Sequence, residues 1–211
     1  MRAKRFTTII VSIILIITVG IVTTAINLSD KAEKNFLSSV NSHSRDETVV
    51  AVVDGEKIYQ YEIDAKLAAI ELNKANTPEE YHYMIEELSP EEILNKRIRN
   101  IVLLNEAKRQ GITADYQQAT KYIKESYDMM MAANDEQTEF FNKYIKEIEM
   151  TEEEYLKLAT DIYYNALLRD GLYKKYCEGR EEDSETLKQE FEKYASELVS
   201  KATVEIKTVT K

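Results

Sequence analysis

Proline and glycine are scarce in this chain, at 2 and 5 of 211 residues. So few breakers exclude a chain cut into many tight turns and leave long helices as the natural reading. Cysteine occurs once, at Cys177, which excludes an internal disulfide and makes no metal site alone. Histidine occurs only at His43 and His82, so a Ser-His-Asp set cannot be assembled with any plausibility. Glycine-rich phosphate loops are missing as well. No cofactor and no metal is therefore expected. Basic residues are outnumbered, 28 against 38 acidic, for a net charge of −10. Such a surface repels phosphate backbones, and no nucleic acid partner is expected.

What is present divides the chain in three. Residues 1–28 read as a signal peptide or membrane anchor. Arg2, Lys4 and Arg5 precede an uncharged run over residues 6–26, long enough to span a bilayer as a helix. Thr23 and Ala25 are small residues placed for cleavage after Ala25. Retained anchor and cleaved signal both remain open. Either way the positive flank stays inside, and everything after Leu28 lies outside the cytoplasm. The expected location is the cell membrane, single-pass with the domain outside, or secretion if cleaved. No cysteine follows the apolar run, which excludes a lipoprotein anchor.

Residues 29–48 are polar, with few large apolar side chains, and read as a tether carrying one short helix near 32–40. The folded domain is expected over 49–208. It opens on a β-branched run at 49–53, followed by Asp54-Gly55, a strong hairpin signal. Helices follow. Ile63, Leu67 and Ile70 share a face of the first, over 61–73. Thr77-Pro78-Glu79-Glu80 and Ser89-Pro90-Glu91-Glu92 read as capping boxes with proline at the first helical position. The helix after Ser89 runs to Gln110. Its Leu94, Ile98, Ile101, Val102 and Leu104 cover an arc of roughly 160°, so it is a core helix touched from two sides.

Thr113 is expected to cap a helix to about residue 133, and Asn134 with Gln137 to open another, with Phe140, Phe141, Tyr144, Ile145 and Ile148 on its apolar face. Thr151 with Glu154 opens the next. A last helix over 184–201 leads into residues 203–208, which alternate like a strand and are expected to pair with 49–53.

Three segments in order resemble the SurA and PrsA foldase family. Residues 49–58 look like its opening strand–turn–strand. Residues 93–113, ending Gly111-Ile112-Thr113, look like its central helix and exit. Residues 198–206 look like its closing helix and strand. Where the family often has Ser or Thr entering the first helix, this chain has Tyr59, Gln60 and Tyr61. The resemblance implies a mostly α, SurA N-terminal-like chaperone domain with a small antiparallel sheet joining its two ends. In PrsA-type proteins a parvulin prolyl isomerase domain sits before the closing helix. Here only residues 178–183 fill that gap, so no isomerase site is expected.

The implied partners are unfolded or newly exported polypeptides, with the membrane contacted through residues 6–26 if they are retained. An adaptor for one membrane partner, or an isomerase-family member, remains the alternative reading. Tyr122 and Met129, one heptad apart, lie to one side of the arc formed by Tyr116, Ala119, Ile123 and Met130. Unbranched, polarizable Met and amphipathic Tyr suit contact with varied apolar segments. Tyr122 and Met129 are thus candidates for a client-binding groove, with Phe140 and Phe141 as the next. His82, Glu86 and Glu79 share one region but read as a solvated face, and Cys177 as an inert thiol.

Overall fold

A computed structural model describes residues 30–41, 46–77, 79–133 and 136–207. The basic flank, the uncharged run over 6–26, the cleavage site at Ala25, His43, Pro78 and the Asn134 cap lie outside the described residues. Seven α-helices and three strands are described: α1 (Asp30–Val40), β1 (Val49–Val53), β2 (Glu56–Tyr59), α2 (Gln60–Asn76), α3 (Pro90–Arg109), α4 (Tyr116–Ala133), α5 (Glu136–Glu147), α6 (Glu152–Cys177), α7 (Ser184–Lys201) and β3 (Val204–Ile206). A short 3₁₀ helix, Glu79–Met84, joins α2 to α3. Among the described residues no helix is long and apolar enough to cross a membrane.

The sheet is antiparallel with order β2-β1-β3. Asp54 and Gly55 both take positive φ, 49° and 88°, the geometry a two-residue hairpin needs. The other edge of β1 receives β3, with Ala51 opposite Ile206 and Val53 opposite Val204. The first and last strands therefore meet, as the alternation at 203–208 implies.

Capping explains most helix starts. Ser89 and Glu92 exchange backbone bonds at the head of α3, at 2.7 and 3.3 Å. Thr151 and Glu154 do the same for α6, at 2.8 and 3.3 Å. At α4 the cap is Asp115 and not Thr113: the Gln118 N–H donates to the Asp115 carboxylate at 3.0 Å. Thr77-Pro78 does not open an α-helix. The stretch before the next stop, Ser89-Pro90, is short and buries no residue of 79–84, so nothing rewards a longer helix there.

Buried side chains form three clusters. One lies between the sheet, α2 and α3, around Val50, Val53, Ile58, Ile98 and Ile101. A second joins α3, α6 and α7 through Leu104, Leu168, Leu172 and Phe191. Helix α3 serves both, which is why its apolar arc is wide. Gly171 of α6 faces this cluster, and a Cβ there would stand 2.6 Å from Ile112 Cγ2. A side chain at that point would force Ile112 to shift.

The third cluster corrects the tether. Within residues 29–48, α1 docks on α2 and α5. Phe36 is 2% exposed, with its ring 5.9 Å from both Phe140 and Tyr144. Lys143 reaches Glu33 at 2.7 Å, and Asn41 reaches Glu147 at 2.7 Å. The folded unit thus begins at α1 and not at residue 49. Helix α5 presents an apolar face that needs a cover, and Phe36 supplies it.

Candidate client-binding surface

Helix α4 carries two of the candidates. Its Ala119, Ile123 and Tyr127 are buried, so they mark its inner face. Met129 falls off that face and is 68% exposed. Tyr122 is half-buried, and its ring stacks on Tyr163 of α6 with centroids 5.3 Å apart. Tyr116 leaves the expected core face. It is exposed at the start of α4, edge-on to Tyr164, with its hydroxyl donating to Asp161 at 2.7 Å. That bond raises the phenol's pKa. Tyr116 and Tyr122 thus line the seam where α4 meets α6, and Met129 stands clear of it. The ion pairs Lys121–Glu125 and Lys124–Asp128 run along the wet side of α4. Burial pushes the Tyr122 hydroxyl up as well, so both phenols stay neutral and can meet an apolar segment at no ionisation cost.

Phe140 and Phe141 are not part of this surface. Both are almost fully buried. Phe140 lies against Phe36, and Phe141 meets Tyr155 edge-on at 4.9 Å. Their expected role as client contacts is corrected: Phe140 is covered by Phe36 of α1, and Phe141 by Tyr127 of α4 and Tyr155 of α6.

Sequence reasoning missed the 3₁₀ helix. Tyr83 is 82% and Met84 71% exposed, with Tyr81 also exposed. The signal was available: Tyr81, Tyr83 and Met84 lie between two proline stops without helical periodicity. His82 between them holds the segment. Its Nε2–H donates to the carbonyls of Lys74 and Thr77, at 3.0 and 2.8 Å. It closes the end of α2. Glu86 is engaged by Lys96. Among the described residues no group of three metal-ligating side chains converges.

One carboxylate is strongly perturbed, away from this surface. Glu106, 7% exposed, accepts from Nε and Nη2 of Arg109 at 2.6 Å each, from Gln110 at 2.6 Å and from the Tyr194 hydroxyl at 3.0 Å. The Arg109 bonds, against the opposing effect of burial and with help from Gln110 and Tyr194, hold its pKa at about 2. This is a structural tie between α3 and α7. Because the folded pKa lies below the unfolded one, its contribution is full above the ordinary value of 4.5 and is lost as pH falls through about 2. Glu106→Gln should cost roughly 1.5–3 kcal/mol at neutral pH, the range for hydrogen bonds to a charged group. It should also flatten the acid limb of a stability–pH profile. An unchanged acid limb would remove Glu106 from the account of acid unfolding.

The sequence model of the SurA-like N-terminal domain matches residues 1–168. The chain belongs to the SurA-like N-terminal domain family. No curated protein and no solved structure shows significant similarity to it. The SurA-like match includes α1, in keeping with its docking, and ends within α6. The rest of α6, α7 and β3 lie beyond the matched residues, and the structure itself shows them packed on α3 and β1. Membership of the SurA-like family points in general to a chaperone-like role.

Proposed function

We propose that this SurA-like chain holds unfolded or newly exported polypeptides on the outer side of the membrane, without catalysis. Residues 6–26 anchor it there or direct its export. Apolar segments of the client bury reversibly across α4, against Tyr116 and Tyr122 at the α4–α6 seam and against Met129 on the exposed side of the same helix. The observation that carries this reading is the exposure of Met129 one heptad from the half-buried Tyr122 on one helix, in a family that points to chaperone work. The ion pairs along the wet side of α4 keep that face hydrated when it is empty. The acidic excess of the chain favours clients with basic stretches and repels its own kind. Residues 178–183 join α6 to α7 directly, at the position where the PrsA-type relatives carry their parvulin domain, which supports holding over isomerisation.

The two tyrosine and methionine positions should behave differently. Met129→Ser removes an already wet side chain, so the melting temperature should stay within about a degree, the range of an ordinary surface change. Holding activity should fall, since the contact loses apolar area worth about 25 cal/mol per Å². Tyr122→Ser breaks the stack on Tyr163 and should destabilise by roughly 1–2 kcal/mol. Thermal melts and light scattering from an aggregating client, on the same preparations, check both. Unchanged holding by Met129→Ser would move the client surface elsewhere.

A further inference from the structure

We propose that the 3₁₀ helix Glu79–Met84 is a membrane contact. Tyr81, Tyr83 and Met84 enter the headgroup region of the bilayer and fix the domain's orientation on it. The inference rests on the reading that residues 6–26 remain in the membrane.

Three observations lead there. First, the segment presents three large, mostly apolar side chains and buries none of its residues. Its exposure is held in place, since His82 fastens it to the end of α2 through the Lys74 and Thr77 carbonyls. Tyrosine, with an apolar body and a polar tip, is the side chain enriched at membrane–water interfaces. Second, His82 and the first turns of α1 face one cleft. That cleft, about 450 Å³, is lined by Lys31, Ala32 and Asn35 of α1 together with Lys74, Ala75 and His82. The 3₁₀ helix therefore sits beside the beginning of α1. Third, the proposed spanning run ends at Ile26, and α1 starts at Asp30. Four extended steps cover at most about 14 Å. An anchored chain thus holds the first turn of α1, the cleft and its neighbours close to the membrane surface.

Tethering also changes what the patch must achieve. A contact made within one molecule draws on a high effective concentration, so three side chains suffice where a free client would need more. Lys31 and Lys34, exposed in the first turns of α1, suit lipid phosphates. The acidic Glu79, Glu80, Glu86 and Glu87 around the patch oppose an anionic surface, so the contact draws on interfacial partition of Tyr and Met and not on charge. A free client has no reason to favour this site beside the anchor over the longer α4–α6 seam.

The chain has no tryptophan, which gives a clean probe. Full-length Tyr83→Trp and, separately, Met129→Trp are reconstituted into phosphatidylethanolamine–phosphatidylglycerol vesicles containing lipid brominated on its acyl chains. Flotation of the same samples reports anchoring. The expected result is that both proteins float with the vesicles, that the Tyr83→Trp indole shifts to the blue and loses more than half of its emission to the brominated lipid, and that the Met129→Trp indole does neither. Floating protein with an unquenched Tyr83→Trp indole overturns the proposal while leaving the anchor intact. An indole at 83 that answers only to an unfolded polypeptide, or only to protein concentration, overturns it in favour of a client site or a self-contact. Failure to float overturns the anchor and the contact together.

Discussion

Phe36→Ala is expected to lower the unfolding free energy by about 3–5 kcal/mol, the cost of deleting a buried phenyl ring and leaving its cavity. Phe36 belongs to α1, which lies before the first strand and would be dispensable as a tether. In the structure it fills the space over Phe140 and Tyr144. Its loss opens the cluster that α5 shares with α4 and α6, because Phe141 and Tyr144 bridge to Tyr155 from there. Denaturant titration of residues 30–211, with and without the substitution, measures the effect. A loss below about 1 kcal/mol, typical of exposed positions, would return α1 to the status of a linker.

Removal of residues 203–211 is expected to destabilise by several kcal/mol, since β3 closes the domain on itself. The Asp54 N–H donates to the Thr203 carbonyl at 3.0 Å, the Thr203 N–H to the Asp54 carboxylate at 3.1 Å, and the Lys207 N–H to the Val50 carbonyl at 2.9 Å. Without them the β1 edge carries unpaired backbone groups beside the buried Val50 and Val53, each worth about 1 kcal/mol or more when left unmet. The β1–β2 hairpin that remains is marginal on its own. A melting temperature unchanged by the deletion would show that β3 is an ornament on a sheet that α2 and α3 already secure.

Much of this fold is legible in the sequence because its signals are local. Ser89 with Glu92 and Thr151 with Glu154 each specify a helix start within four residues. Asp54-Gly55 specifies the turn. The strand at β3 is legible for a different reason: a short hairpin needs a third partner, and only one other alternating segment exists. The docking of α1 is not local. It rests on Phe36 meeting Phe140 and Tyr144 about a hundred residues later, and a polar segment with one phenylalanine looks like a linker until its partner's face is known. The same gap misassigns Phe140 and Phe141, since an amphipathic helix without an assigned cover reads as open. Met129 is placed correctly by helical phase. Tyr116 is not, because phase cannot say where the covering helix ends. The exposed Tyr81, Tyr83 and Met84 escape a search for periodicity because a 3₁₀ turn of this length has no periodic face.

The holding activity itself is tested most directly by light scattering. A chemically unfolded client is diluted into buffer with increasing amounts of residues 30–211, at a pH above 5 where the Glu106 tie is intact. The account predicts that scattering falls in proportion to the added domain and saturates near stoichiometric ratios, with no gain in the rate of a proline-limited refolding reaction measured alongside. A domain that melts cooperatively yet leaves the client's aggregation unchanged at excess would contradict it.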